Sequence, residues 1–259
     1  MSSDEGICTA QRRFRRVAGP VVDRLWDVER VGFDRLPTTG PAILCPNHLS
    51  FLDSVFLMTS APRNISFVGK SEYLDSWTTR HLFPALGMIP IDRSGGTKAM
   101  AALDAAADVL ARGELFGIFP EGTRSRSGDL GRGRTGAARL ALSTGVPIHP
   151  VGIVGTDAIQ APDAPLPTLG MGCRIEIGDP IDPADFRSLG STHAASRAMV
   201  DTVMGAIADM TGQRRLDRYH PAASTAVAPA PAARSRLAPV VELPGRALRR
   251  PALALAVGS

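Results

Sequence analysis

Short apolar runs alternate with amphipathic, helix-period stretches along most of this chain. The runs Ala42–Cys45, Ile65–Val68, Met88–Ile91, Leu115–Phe119, Ile148–Val154 and Cys173–Ile177 are rich in Ile, Leu, Val and Phe and predict strands. Between and after them, the patterns near Leu52–Thr59, Tyr73–Phe83, Lys98–Ala111, Gly136–Ser143 and Thr192–Thr211 predict helices. Strand–helix alternation of this kind implies an α/β fold in a single domain, with a mostly parallel or mixed central sheet covered by helices. No internal repeat is visible.

The two ends read differently. Residues 1–30 hold a basic amphipathic segment, in which Phe14, Val17, Val21, Val22, Leu25 and Trp26 alternate with Arg12, Arg13, Arg15, Arg16 and Arg24. Such a segment suits an anionic bilayer surface, arginines toward phosphates, or equally a first helix packed on the core with a solvated charged face. Pro20 is expected to interrupt it. The expected folded domain spans residues 31–215. Beyond it, residues 216–259 are mostly Ala, Pro and Arg and cannot bury enough surface to offset their ordering entropy, so they are expected to be disordered.

Composition sharpens this picture in three ways. The chain of 259 residues is 44% hydrophobic and 21% charged, which is ordinary globular usage. Its net charge of +4 is carried by the C-terminal tail, so the domain itself is neutral and a nucleic-acid role is disfavoured. Cys8, Cys45 and Cys173 form no C-x-x-C pair, which argues against a disulfide framework or a cysteine zinc site. No window approaches the ~20 apolar residues of a spanning helix, and no secretory h-region follows the N-terminal arginines. A peripheral protein is expected.

Candidate chemistry begins at Asn47–Asp53, NHLSFLD. The strand Ala42–Cys45 runs into Pro46-Asn47, a break, and Ser50 is a good N-cap for a helix starting at Phe51. His48 then stands on the turn before the helix and Asp53 in its first turn, where the helix dipole favours the carboxylate. The two side chains can meet, and a carboxylate so placed fixes the histidine tautomer. Ser-x-x-Asp is also an ordinary capping box, so the surroundings decide. Phe119–Ser125, FPEGTRS, follows another strand end, where α/β sheets place ligand sites, and its Gly122 and Arg124 suit backbone approach and phosphate. Two further strands finish on cations, Lys70 in FVGK and Arg93 in GMIPIDR. Three such ends beside a histidine make an anion pocket if the strands adjoin.

Together, NHLSFLD, GMIPIDR, FPEGTRS and GVPIHPVGI resemble, in order and spacing, the four blocks of the glycerolipid acyltransferases, of which the bacterial 1-acylglycerol-3-phosphate acyltransferases are typical. The resemblance runs from about Val31 to Ile181. It implies transfer of a fatty acyl group from acyl-CoA or acyl-carrier protein to the free hydroxyl of lysophosphatidate. His48 would be the general base and Asp53 its partner, with no metal, cofactor or covalent acyl-enzyme. Lys70, Arg93, Glu121, Gly122, Thr123 and Arg124 would bind the acceptor, and Val146-Pro147 would shape the acyl site. The implied setting is peripheral, on the cytoplasmic face of the cell membrane, with membrane lipids as partners. Acceptors of another lysophospholipid or glycolipid class, a lipid hydrolase and a non-catalytic adaptor are the alternatives. His149 stands where the family usually has an aliphatic residue and reads as a strand histidine. His81, His193 and His220 read as structural or surface residues.

Overall fold

Seven strands form one sheet in the order β1-β7-β6-β2-β5-β3-β4. They are β1 (Asp27–Val31), β2 (Ala42–Pro46), β3 (Ile65–Lys70), β4 (Met88–Ile91), β5 (Leu115–Gly117), β6 (Ile148–Val154) and β7 (Gly172–Ile177). The helices are α1 (Ser3–Leu25), α2 (Leu52–Ser60), α3 (Gly96–Ala111), α4 (Gly136–Thr144), the single turn α5 (Thr156–Ile159) and α6 (Thr192–Thr211). The structure is a computed structural model and describes residues 3–70, 88–91 and 96–221. The helix expected at Tyr73–Phe83 lies outside them, as does most of the C-terminal tail.

The strands from β6 to β4 are all parallel, whereas β7 pairs antiparallel with β6 and parallel with β1. The antiparallel β6–β7 pair is joined by residues 155–171, which include the turn α5. Side-chain alternation along β2 splits the core into two layers. Leu44 packs with Phe56, Leu57, Ile65 and Phe67 on the α1/α2 face, and its neighbours Ile43 and Cys45 pack with Leu110, Leu140, Met199 and Val203 on the α3/α4/α6 face. All five residues of β2 are buried, so this strand is covered on both sides.

Three details depart from the sequence expectations. The first strand, DVERV, was hidden in the polar end of the basic segment, and it crosses the boundary expected at residue 30. The helix α1 continues through Pro20. Pro20 and Arg16 are both exposed, so the carbonyl freed by the missing N–H stays in water. The inner face of α1 is tied to the core by Gln11, whose Nε2 donates to the Ile65 carbonyl (2.7 Å), by Arg15 to the Ala61 carbonyl, and by buried Val22. Finally, the packed chain runs beyond Arg215 to His220, with Leu130 and Arg132 bonded to the backbone of Arg214, Leu216 and Arg218.

The run at β5 ends at Gly117, two residues short of the expected Phe119. The missing side chain there admits the Phe67 ring, since a Cβ would lie 2.2 Å from Phe67 Cε1. Gly117→Ala is therefore expected to destabilise the fold by about 1–3 kcal/mol through overpacking. Urea denaturation followed by circular dichroism checks this, and a variant as stable as the parent would contradict the packing.

Candidate active site

Three adjacent parallel strands, β6, β2 and β5, end along the same edge of the sheet. The chain leaving β2 carries Asn47 and His48, that leaving β5 carries Phe119 to Glu121, and that leaving β6 carries Thr156. Side chains from all three meet at one point. Asn47 locks the first turn in place: its Oδ1 accepts from Ile153 N (2.7 Å) and its Nδ2 donates to the Ile153 carbonyl (2.8 Å), so the side chain extends the β2–β6 ladder by one rung.

Asp53 lies beneath His48 and is fully buried. Its Oδ2 lies 2.9 Å from His48 Nδ1 and accepts from Leu49 N (2.7 Å) and Ser50 N (2.8 Å). Its Oδ1 accepts from Thr156 Oγ1 (2.6 Å). Because the carboxylate only accepts, Nδ1 carries the proton and Nε2 is left on the far side of the ring. The helix α2 begins at Leu52, one residue later than expected, and the Ser50 hydroxyl accepts from Leu52 N (3.2 Å). Ser50 thus retains a capping role. The His48 ring stacks on Phe119 at 3.8 Å between centroids and 22° between planes, and Phe119 in turn lies 5.9 Å from Phe67. The His48 side chain keeps 18% of its surface exposed, so an incoming ligand can reach it.

A second buried carboxylate holds the backbone of the same histidine. Glu121 Oε1 accepts from His48 N (3.0 Å), and Oε2 accepts from Gly131 N (2.9 Å) and lies 2.9 Å from His220 Nε2. Burial pushes this carboxyl above its ordinary range, opposed by the backbone bonds from Gly131 and His48 and by the charge of His220. The His48 carbonyl accepts from Ser125 N (2.7 Å), which closes the loop after β5 onto the turn after β2.

The remaining expected residues are placed as follows. Gly122 adopts φ +75°, and a side chain there would meet Arg134 Nε at 2.8 Å. Thr123 and Arg124 are half-buried, and Arg124 Nη1 donates to the Pro162 carbonyl (2.5 Å). Arg126 pairs with Asp163. Lys70 ends β3, next to β5 in the sheet, and Arg93 lies outside the described residues. His149 is buried in β6 with Nδ1 3.4 Å from the Gly178 carbonyl, and burial lowers its pKa, so it is a neutral strand histidine. His193 is exposed. Sequence reasoning missed the part played by His220, Thr156, Asn47 and Gln213.

Known proteins resemble this chain in sequence and in fold. A family model described as Acyltransferase matches residues 27–154. A chloroplast 1-acyl-sn-glycerol-3-phosphate acyltransferase of Arabidopsis thaliana is 31% identical over 130 residues, 50% of this chain and 36% of that one. The 1-acyl-sn-glycerol-3-phosphate acyltransferase of Borreliella burgdorferi is 29% identical over 126 residues, 49% of this chain and 50% of that one. This chain thus spans half or less of the length of these two relatives. The crystal structure of the 1-acyl-sn-glycerophosphate (LPA) acyltransferase PlsC from Thermotoga maritima shares the fold, with a TM-score of 0.61, 24% identity and coverage of 81% of this chain and 83% of that one.

Thr156→Val keeps the shape of the side chain and removes the donor to Oδ1 of Asp53. It is expected to destabilise the protein by about 1–3 kcal/mol, because a buried anion loses a bond that no water replaces. Equilibrium urea unfolding measures this, and a change below the error of the method would mean that Oδ1 is otherwise satisfied.

Proposed function

From the premise that the chain belongs to the acyltransferase family, we propose that it moves a fatty acyl group from acyl-CoA or acyl-carrier protein to the free hydroxyl of lysophosphatidate, giving phosphatidate. The observation that carries this reading is the His48–Asp53 pair at 2.9 Å, with Nε2 free and the ring held between Phe119 and a buried carboxylate.

The steps follow from that arrangement. The acceptor hydroxyl gives its proton to His48 Nε2 as its oxygen attacks the thioester carbonyl carbon. Asp53 stabilises the imidazolium so formed and prevents the ring from rotating. The tetrahedral intermediate collapses by breaking the carbon–sulfur bond, and the imidazolium returns the proton to the departing thiolate. Atoms and charge balance without a covalent acyl-enzyme. Gly122, Thr123 and Arg124, with Lys70 at the end of β3, form the acceptor's phosphate site, to which the resemblance of GMIPIDR adds Arg93. Both oxygens of Glu121 are already engaged by His48 N, Gly131 N and His220, so its role is the support of His48 rather than the phosphate site.

The acceptor and product of this reaction are lipids, and α1 offers a surface for them. Arg12, Arg13, Arg16 and Arg24 are exposed there beside Val17 and Val21, which keep 70% and 50% of their surface in water. Among the described residues no helix is long and apolar enough to cross a membrane. We assign the protein to the cytoplasmic face of the membrane, held peripherally by this mixed surface on anionic lipid.

Purified protein is expected to release CoA from palmitoyl-CoA only when lysophosphatidate is present, with phosphatidate detected by mass spectrometry. His48→Ala is expected to lower kcat by about 10²–10⁴-fold, the usual contribution of a general base. CoA release without an acceptor would indicate a hydrolase instead. Activity of the alanine variant within tenfold of the parent would remove His48 from the mechanism.

A further inference from the structure

The matched family region ends at Val154, yet the chain returns to the site once more after α6. That helix starts on the Ser191 hydroxyl, which accepts from Ala194 N (3.2 Å), and stops at Gly212, whose φ of +68° turns the chain back over the loop of residues 120–134. Almost every residue that follows is tied to that loop. Gln213 bridges two segments, accepting from Asn47 Nδ2 at Oε1 (2.8 Å) and donating from Nε2 to the Gly128 carbonyl (2.6 Å). Arg214 grips Asp129 through Nε (3.0 Å) and Nη2 (2.8 Å). Leu130 N donates to the Arg214 carbonyl (3.0 Å), Leu216 N to the Leu130 carbonyl (2.8 Å) and Arg132 N to the Arg218 carbonyl (2.9 Å). The Tyr219 ring lies under the guanidinium groups of Arg132 and Arg134, at 5.7 and 5.2 Å.

His220 finishes the run. Its Nε2 lies 2.9 Å from Glu121 Oε2 and 3.3 Å from the Asp129 carbonyl. Both are acceptors, so Nε2 carries a proton. The ring rests on Gly131, where a Cβ would fall 2.4 Å from His220 Cδ2. The side chains of His220 and Glu121 are 10% and 0% exposed, so the pair is shielded from water and from salt. A path of direct bonds runs from the His220 ring through Glu121 to the backbone N–H of His48.

We propose that residues 213–220 are a strap that completes the active site, and that His220 is a positioning residue which, through Glu121, fixes where the His48 imidazole stands. Gln213 performs the same service one residue earlier, by holding Asn47 against the loop. The kinetic part of this inference rests on the acyltransferase reading, whereas the structural part does not. Small displacements of a general base cost rate without loss of substrate affinity, so the strap acts on kcat rather than KM.

The test uses the full chain with His220→Ala, His220→Gln and Gly131→Ala. The glutamine carries an amide donor that can still reach Glu121, and the added methyl of Gly131→Ala displaces the ring while leaving His220 in the sequence. Hydrogen–deuterium exchange is read first. His220→Ala and Gly131→Ala are expected to exchange about tenfold faster than the parent in peptides covering residues 47–53 and 119–131, with α6 and β3 unchanged. Acyl transfer is read second. Both variants are expected to lose about ten- to a hundredfold in kcat with the acyl-donor KM within about twofold, and His220→Gln is expected to keep at least about a third of the parent kcat. Unchanged exchange in both displaced variants, or a glutamine variant as impaired as the alanine one, would overturn the strap. If His220→Ala does not fold, Gly131→Ala and His220→Gln still decide between these outcomes. A parent protein that transfers no acyl group, but whose variants show the expected exchange, would overturn the function and leave the strap standing.

Discussion

A fully buried carboxylate with four donors on it is the constraint around which this site is built. A carboxylate such as that of Asp53, taken out of water without partners, carries a large desolvation penalty, so a buried one must be hydrogen-bonded on every side. Here Leu49 N, Ser50 N, Thr156 Oγ1 and His48 Nδ1 surround it at 2.6–2.9 Å, and the first turn of α2 adds its dipole. Those donors come from the turn after β2 and from Thr156, the second residue after β6. The carboxylate can be satisfied only if these two strands are neighbours and α2 starts where it does. Topology, helix start and histidine orientation are thus a single condition.

Around that condition the sheet supplies stiffness. The His48 ring has one face on Phe119, which follows β5, and Phe119 is backed by Phe67 of β3. Phe67 can occupy its place because residue 117 has no side chain. A rotation of the imidazole away from Asp53 would lose both the charged hydrogen bond and this stack. The backbone of His48 is held as firmly as its ring: its N–H is bonded to Glu121 and its carbonyl to Ser125 N. The His48 imidazole is therefore held directly by the segment after β5 and, through Asp53, by Thr156 after β6.

Much of this was legible in the residues. The apolar runs from Ala42 to Ile177 gave strands β2 to β7: β2, β5 and β6 are buried almost throughout and need no polar face, whereas β7 alternates. The strand β1 was not legible, since DVERV is half-exposed at the sheet edge and reads as part of the charged segment before it. In NHLSFLD the capping logic brought Asp53 to the right turn, because a helix start is a local event. Glu121 was misassigned to the acceptor for the opposite reason. Its partners His48, Gly131 and His220 are 73, 10 and 99 residues away, and single-sequence periodicity carries no information about pairings of that length. His220, in an Arg-rich stretch with no apolar pattern, looked like solvated surface.

The placement of Glu121 removes an electrostatic conflict that the blocks present on their face. A segment proposed to receive a phosphate carries a carboxylate between Pro120 and Gly122, and in a low-dielectric site that charge would oppose the acceptor. Turning the side chain inward buries it, and burial alone raises the energy of the anion. Two backbone N–H groups and the His220 ring, all in hydrogen-bond reach of its two oxygens, offset that penalty. Arg134, whose Nε donates to the Glu121 carbonyl at 3.4 Å, then stands at the loop surface beside Gly122 with its field uncancelled. The same carboxylate that would have repelled a phosphate instead holds the backbone N–H of His48, the proposed general base. Its remaining partner, His220, comes from the strap after α6. That strap and the turn after β2 are therefore coupled through one buried side chain.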